Sequence, residues 1–396
     1  MARSVFCWVL LAAGVTLSPA KAQDVLVLAG ANDNPNTLIN GVFDGSTLTF
    51  NPEVPSGGST PGQTNYLYYA QVRAYRSPAP GCSRIAQTND GSVTIYGMDA
   101  ANAIAPVAGS PFATGPDTEA LAWSPDGGAL YVPLYGTSTV FVYTVTCTGG
   151  VVSAAAAGTV SVTGMSSLVD AWVVGSGTGS HLCLAGRSTG NVGCFAIDAA
   201  TRLPTTTPVN TVTVANARSV RFASNGCGIL AIGSAALSQG VRIDAQGFLT
   251  LTNTAPSAAS ARFGAISADG TLAAMGTSSA GFSVYAVDSS CGLSLVGTDL
   301  TAPGDPFVLY MDFDSRNRLY VADSLENRIR IFAPGAAGIG PAIASVMTNH
   351  PRAQAPAGLD VVDLAVDALF ADGFEPASSA PFRGRLPEPL PAPRAN

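Results

Sequence analysis

Residues 117–145, DTEALAWSPDGGALYVPLYGTSTVFVYTV, read as three consecutive strands with their turns. ALAW is a short apolar run. SPDGG supplies Pro and paired Gly for a tight turn, ALYVPLY alternates, GTS turns the chain again, and TVFVYTV is dense in β-branched and aromatic residues. One such meander leaves its apolar faces uncovered, so it needs similar units on either side.

Such units fill most of the chain. Residues 24–50 hold VLVLAG, TLINGV and TLTF, with turns at NDNPN and FDGS. A second unit opens with YLYYAQVRAYR and runs through SRIAQT, SVTIYGM and IAPVAG, closed by SPFATGP. The stretch quoted first is the third unit and ends in VVSAAAAGTVSVT. SLVDAWVV, HLCLAG, VGCFAID and NTVTVA make the fourth; ARSVRFASNG, GILAIG, QGVRID and FLTLTN the fifth. RFGAISADG, TLAAMG, GFSVYAVD and LSLVGTDL make the sixth; PFVLYMDFDSRN, RLYVADS, NRIRIFA and AIASVM the seventh. The period of roughly 40 to 50 residues is that of propeller blades.

The first unit lacks a first strand, and residues 357–366, AGLDVVDLAV, read as a first strand with nothing after it. Joined, they complete one blade. The expectation is an all-β, seven-bladed β-propeller over residues 23–366, closed by N- and C-terminal strands in one shared blade. Such closure leaves no open sheet edge.

Composition agrees. The chain has 396 residues, 47% hydrophobic and 11% charged, with Gly 43 and Pro 27, which favours strands and turns and makes helix scarce. A net charge of −7 with no contiguous basic stretch argues against a nucleic-acid partner. Arg3, the apolar VFCWVLLAAGVTL and the Ala20-Lys21-Ala22 site read as a signal peptide over residues 1–22. The apolar run is shorter than the roughly 20 residues of a spanning helix, and no later stretch would span a bilayer. The expected protein is therefore exported, periplasmic or secreted, and monomeric. Residues 367–396, rich in Pro and Arg and carrying LFADGFE, are expected to form a disordered tail.

Loss of Cys7 with the signal leaves six cysteines, an even number suited to disulfides in an oxidising compartment. Cys183 and Cys194 flank one hairpin turn symmetrically and should face each other. Cys82 and Cys227 each precede a second strand, and Cys147 and Cys291 each follow a third strand. These turns open on the same propeller face, so Cys82 is expected to pair with Cys147 and Cys227 with Cys291. No metal site is expected, because no CxxC or nearby His accompanies them, and no cofactor is implied.

The sequence also resembles a known family. GSPFATGP followed by ALAWSPDGGALYVPLYGTSTVFVY looks like the YVTN and lactonase type of seven-bladed β-propeller, whose units read SPDG, LYV and then a V-x-VY strand. ISADGTLAAMG with FSVYAVD is similar but degraded, and DFDSRNRLYVADSLENRIRIF resembles an NHL-type blade in which Asp323, Asn327 and Arg328 would form a hydrogen-bonding set. The resemblance implies a sugar-lactone hydrolase, a surface protein or a member with no known activity. Lactonase-type members tend to carry His with acidic or Arg residues at the channel mouth, whereas His181 and His350 are the only histidines here.

Setting Trp123 against Phe222, Ile266 and Phe313 places Glu119, Asp170, Arg218, Arg262, Leu309 and Asp360 at equivalent positions of the first strands. Propeller first strands line the central channel, so these side chains should converge near one mouth. As a functional site, Glu119 or Asp170 would be the general base, and Arg218, Arg262 and Asp360 would bind the ligand. The plainer reading, preferred here, is a set of ion pairs around a wet channel. Asp312 and Asp363 align with Arg221 one layer further in, as ion pairs between blades. Ser124 and Ser267 read as turn residues, and GSGTGS near Gly175 is not a phosphate loop.

The resulting expectation is a non-catalytic binding or scaffold protein whose partner is a carbohydrate or an envelope protein. The alternative is a lactonase-like hydrolase acting on a sugar lactone at the channel mouth.

Overall fold

The computed structural model describes residues 24–31, 36–58, 71–175, 179–277, 281–300, 308–323, 326–335, 337–348, 350 and 356–364. The expected signal segment and the expected tail with LFADGFE lie outside these residues.

Seven antiparallel sheets follow one another around a ring. Numbered as in the sequence reading, blade 3 consists of Ala122–Trp123, Ala129–Pro133, Thr139–Thr148 and Val151–Ser161, paired in that order. Blades 4, 5, 6 and 7 repeat this four-stranded meander, starting at Leu168–Val174, Ala217–Phe222, Ala261–Ile266 and Val308–Phe313. Blade 2 starts at Val72–Tyr75, and its last strand is split into Ile104–Pro106 and Phe112–Ala113, both on Ser92–Met98. Among the described residues there is no α-helix.

Blade 1 holds both ends of the propeller. Val25–Ala31 pairs with Thr37–Phe43 on one edge and with Gly358–Asp363 on the other, in a register that sets Val25 opposite Asp363 and Gly30 opposite Gly358. The C-terminal strand therefore occupies the innermost position that residues 24–50 leave vacant.

Second strands are buried on both faces, which explains why they read as unbroken apolar runs. In blade 3, Leu130 and Val132 pack with Ala86 and Ile95 of blade 2, while Tyr131 packs with Leu182 and Leu184 of blade 4. Each such side chain contributes roughly 1.5–3 kcal/mol on burial. Outer strands alternate instead: Val151–Ser161 is exposed or half-exposed at most positions.

The SPDGG turn is held by its own side chains. Ser124 Oγ donates to Asp126 Oδ1 at 2.7 Å, and Asp126 Oδ1 accepts Gly128 N at 2.9 Å. Gly127 has φ 62°, and a Cβ there would lie 2.3 Å from the Tyr75 ring. Ser267 and Asp269 repeat the first contact at 2.7 Å in blade 6. Both serines are turn residues.

The cysteines pair as Cys82–Cys147, Cys183–Cys194 and Cys227–Cys291. Cys183 stands directly opposite Cys194 in the register. The other two pairs join first-to-second turns to third-to-fourth turns of the next blade, stitching blades 2 to 3 and 5 to 6.

Candidate functional site

First strands of consecutive blades contact one another in a closed ring around the channel. Each begins at what we call the upper face and ends at the lower face. Second-to-third turns share the upper face, and the two inter-blade disulfides lie on the lower one.

The start of these strands is irregular. A register shift separates Leu168 from Asp170, Ala217 from Val220, Ala261 from Phe263 and Val308 from Tyr310. In blade 3 an isolated bridge joins Thr118 to Leu134 before regular pairing resumes at Ala122. These are β-bulges, which bend a strand and re-aim the side chains within them. Glu119, Arg218 and Arg262 all fall inside such windows at the upper mouth. Leu309 falls in the equivalent window of blade 7, and its side chain lies outside the described residues.

Glu119 is 8% exposed. Burial pushes its carboxyl up to about 8, nearby Asp117 adds to this, and Arg187 and Arg218 oppose it. The carboxyl is thus mostly protonated at neutral pH yet ionisable. Arg187 was not anticipated from the sequence because it sits in a second-to-third turn, RSTG, rather than on a first strand. Its guanidinium donates to Tyr135 Oη at 3.0 Å and lies 5.8 Å from the centre of that ring. With Ser188, Thr213 and Asn216, these two residues wall an open cleft of about 510 Å³. Arg218 is buried, and Gly233 allows it to be, since a Cβ there would come within 2.7 Å of Arg218 Cγ. Arg262 is half-buried.

Two members expected in this ring are deeper. Asp170 has no exposed surface: its Oδ2 accepts from Ser219 Oγ at 2.7 Å, from Val220 N at 2.9 Å and from Arg221 Nη1. Asp360 accepts Ala74 N and lies 3.9 Å from Arg73 Nη1. Blade 4 carries the same register shift with Val169 in its window, so the alignment set this blade one residue out of step and brought Asp170 to the mouth; the first strand of the shared blade has no register shift, which leaves Asp360 in the inner layer.

These residues belong to an inner layer that crosses the channel. Trp172 lies 5.0 Å from the guanidinium of Arg221 and 5.7 Å from that of Arg73. Asp312 accepts Val361 N at 3.2 Å and hydrogen-bonds Asp360; burial, then Asp360, raise its carboxyl well above the usual range. Burial first and Arg73 second lower Arg221, against the pull of Asp170 and Asp312. Arg221 therefore pairs with Asp170, whereas the sequence alignment put it with Asp312 and Asp363. Asp363 instead accepts Ser315 N at 3.2 Å. Arg73 was overlooked because YLYYAQVRAYR offered no anchor for alignment.

Neither histidine reaches the mouth. His181 begins the second strand of blade 4 at the lower face, and His350 contacts Glu53 at 2.7 Å. Asp323 of blade 7 accepts Glu326 N at 3.2 Å and lies 3.3 Å from Arg330, while Arg328 pairs with Glu326 at 3.0 Å. The partner of Asp323 is thus Arg330 rather than Arg328.

No family model matches the sequence. No curated protein matches it either. Solved structures do match in fold. A putative 6-phosphogluconolactonase from Bacteroides fragilis is 17% identical over 87% of this chain and 100% of its own, with a TM-score of 0.66. A protein from Lactobacillus plantarum is 14% identical over 86% and 99%, with a TM-score of 0.65. The periplasmic gluconolactonase of Pseudomonas aeruginosa is 17% identical over 86% and 100%, with a TM-score of 0.60. The chain therefore has the fold of the lactonase-like seven-bladed propellers.

Proposed function

We propose that the protein hydrolyses a sugar lactone at the upper mouth of the channel, with Glu119 as general base and Arg187 and Arg218 as electrophilic partners. The observation that carries this reading is the buried Glu119 in a bulge at the upper mouth, its carboxyl raised to about 8 by burial against the opposing influence of Arg187 and Arg218, with Arg187 lining the open cleft beside it. A base with a pKa near the working pH combines a usable ionised fraction with driving force for proton transfer. Ionised Glu119 takes a proton from water as the oxygen attacks the lactone carbonyl. The two guanidiniums stabilise the developing oxyanion. Protonated Glu119 then returns its proton to the ring oxygen as the ester C–O bond breaks; the carboxylic acid formed releases its remaining proton to solvent, and its carboxylate rests on the arginines.

The lactonases among the fold neighbours support this reading over the non-catalytic scaffold expected first, which draws no support from them. The three disulfides support export to an oxidising compartment. The test is turnover of aldonolactones, with and without a phosphate, by the mature protein and its Glu119→Gln variant after subtraction of spontaneous hydrolysis. Turnover that falls about 10²- to 10³-fold in the variant supports the assignment. Equal rates for the two proteins refute the role of Glu119, and no turnover at all refutes the activity.

A further inference from the structure

A second cleft, of about 480 Å³, opens on the lower face among blades 3, 4 and 5, the opposite end of the channel from Glu119. Trp172 and Val174 from the end of the first strand of blade 4 form one wall, and Phe222, Asn225 and Ile243 of blade 5 form the other. His181, opposite Val174 in the register, lines it as well.

The histidine is packed firmly where it lines the cleft. His181 is 7% exposed. The turn over it contains Gly247, at φ 85°, and a Cβ on that residue would lie 2.4 Å from His181 Cδ2 and 2.6 Å from Nε2. The turn itself is fixed by Asp244 Oδ1, which accepts Gln246 N at 3.0 Å and Phe248 N at 2.8 Å. Among the described residues, no hydrogen bond is made by either ring nitrogen of His181 or by the indole NH of Trp172, and none of these atoms is sealed from solvent. Polar groups that line a cleft and have no protein partner are open to a ligand's hydroxyls.

We propose that this lower-face cleft binds a neutral sugar residue, separately from the lactone chemistry at the upper mouth. A pyranose presents apolar C–H faces to aromatic side chains and hydroxyls that both donate and accept. The half-buried Trp172 and Val174 match the first property, backed by the buried Phe222 and Ile243, and the indole NH and the imidazole match the second. The nearby guanidiniums of Arg73 and Arg221 lie over Trp172 in the channel and are engaged with Asp360 and Asp170, and among the described residues no Arg or Lys lines the cleft to favour an anionic ligand. Its volume falls in the range of small-ligand sites, about 300–1,000 Å³.

Tryptophan emission reads the cleft directly. Once the signal is removed, Trp123 and Trp172 are the remaining tryptophans. The mature protein is titrated with the methyl glycosides of glucose, galactose, mannose and N-acetylglucosamine. The expected result is a saturable change in emission with at least one of them. It should be absent in Trp172→Phe, shifted to about tenfold weaker binding in His181→Gln, as expected for one lost hydrogen bond of about 1.4 kcal/mol, and unchanged in Glu119→Gln. Calorimetry on Trp172→Phe and circular dichroism on each variant separate lost signal from lost binding and lost fold. No saturable change with any glycoside in the folded wild type overturns the proposal. So does a change that persists in Trp172→Phe or disappears in Glu119→Gln, because the ligand would then sit elsewhere.

Discussion

Asp170 and Arg221, on the first strands of adjacent blades, form an ion pair that is 0% and 3% exposed at the side chains. The same carboxylate oxygen accepts Ser219 Oγ and Val220 N, so one atom ties the first strand of blade 4 to that of blade 5. Asp312 does the same at the seam of blades 7 and 1, through Val361 N, and Asp360 at the seam of blades 1 and 2, through Ala74 N. The inner layer is thus a set of seam-binding carboxylates with two guanidiniums among them, and its role is to hold the ring.

Removing one member should be costly. Asp170→Ala leaves the Arg221 charge buried, and we expect a loss of about 3–5 kcal/mol in urea unfolding. The double variant Asp170→Ala, Arg221→Met should recover part of this. A loss below about 1 kcal/mol in the single variant would show that solvent reaches Arg221.

Stability should also depend on Glu119. Its folded pKa of about 8 lies above the value of 4.5 expected when unfolded. The folded state therefore holds the proton more tightly. The associated stability is fully present below pH 4.5 and is lost as pH rises through about 8. Chemical denaturation at pH 5 and pH 9 should show a decline that Glu119→Gln removes, the variant being relatively more stable at pH 9. An identical pH dependence in both proteins would mean that Glu119 ionises freely.

The architecture was legible because its signals repeat. SPDGG, LYV and VFVY recur with recognisable variants, and residues 357–366 read as a strand with no continuation. The cysteines were legible for the same reason, since equivalent turns carry Cys82 and Cys227, then Cys147 and Cys291. The mouth was only half legible. Glu119, Arg218 and Arg262 share the bulge windows, but Asp170 and Asp360 belong deeper, and nothing in an amino-acid pattern marks a one-residue bulge. Arg187 came from a turn, where side-chain direction has no period to read.

The inter-blade disulfides should matter more than the hairpin one. Cys82–Cys147 and Cys227–Cys291 span 65 and 64 residues, against 11 for Cys183–Cys194. Loop-closure entropy gives each long pair about 4 kcal/mol and the short one about 3. Serine pairs at each position, compared by urea midpoint, should follow this order. Greater loss from the Cys183, Cys194 pair would point to packing in the blade core instead.

Closure by the last strand is testable by deletion. A chain ending at residue 356 lacks Gly358–Asp363 and exposes the edge of Val25–Ala31. It should aggregate during size-exclusion chromatography, whereas a chain ending at residue 366 should elute as wild type. Normal elution of the shorter chain would show that the ring does not need this strand.

The most direct test of the proposed chemistry is the pH dependence of kcat/KM for lactone hydrolysis, corrected for the spontaneous reaction. The account predicts a rate that rises with pH to a plateau with an apparent pKa near 8, set by Glu119, and a flat residual rate in Glu119→Gln. A wild-type profile that is already flat between pH 6 and 9, or one that Glu119→Gln reproduces, would contradict it.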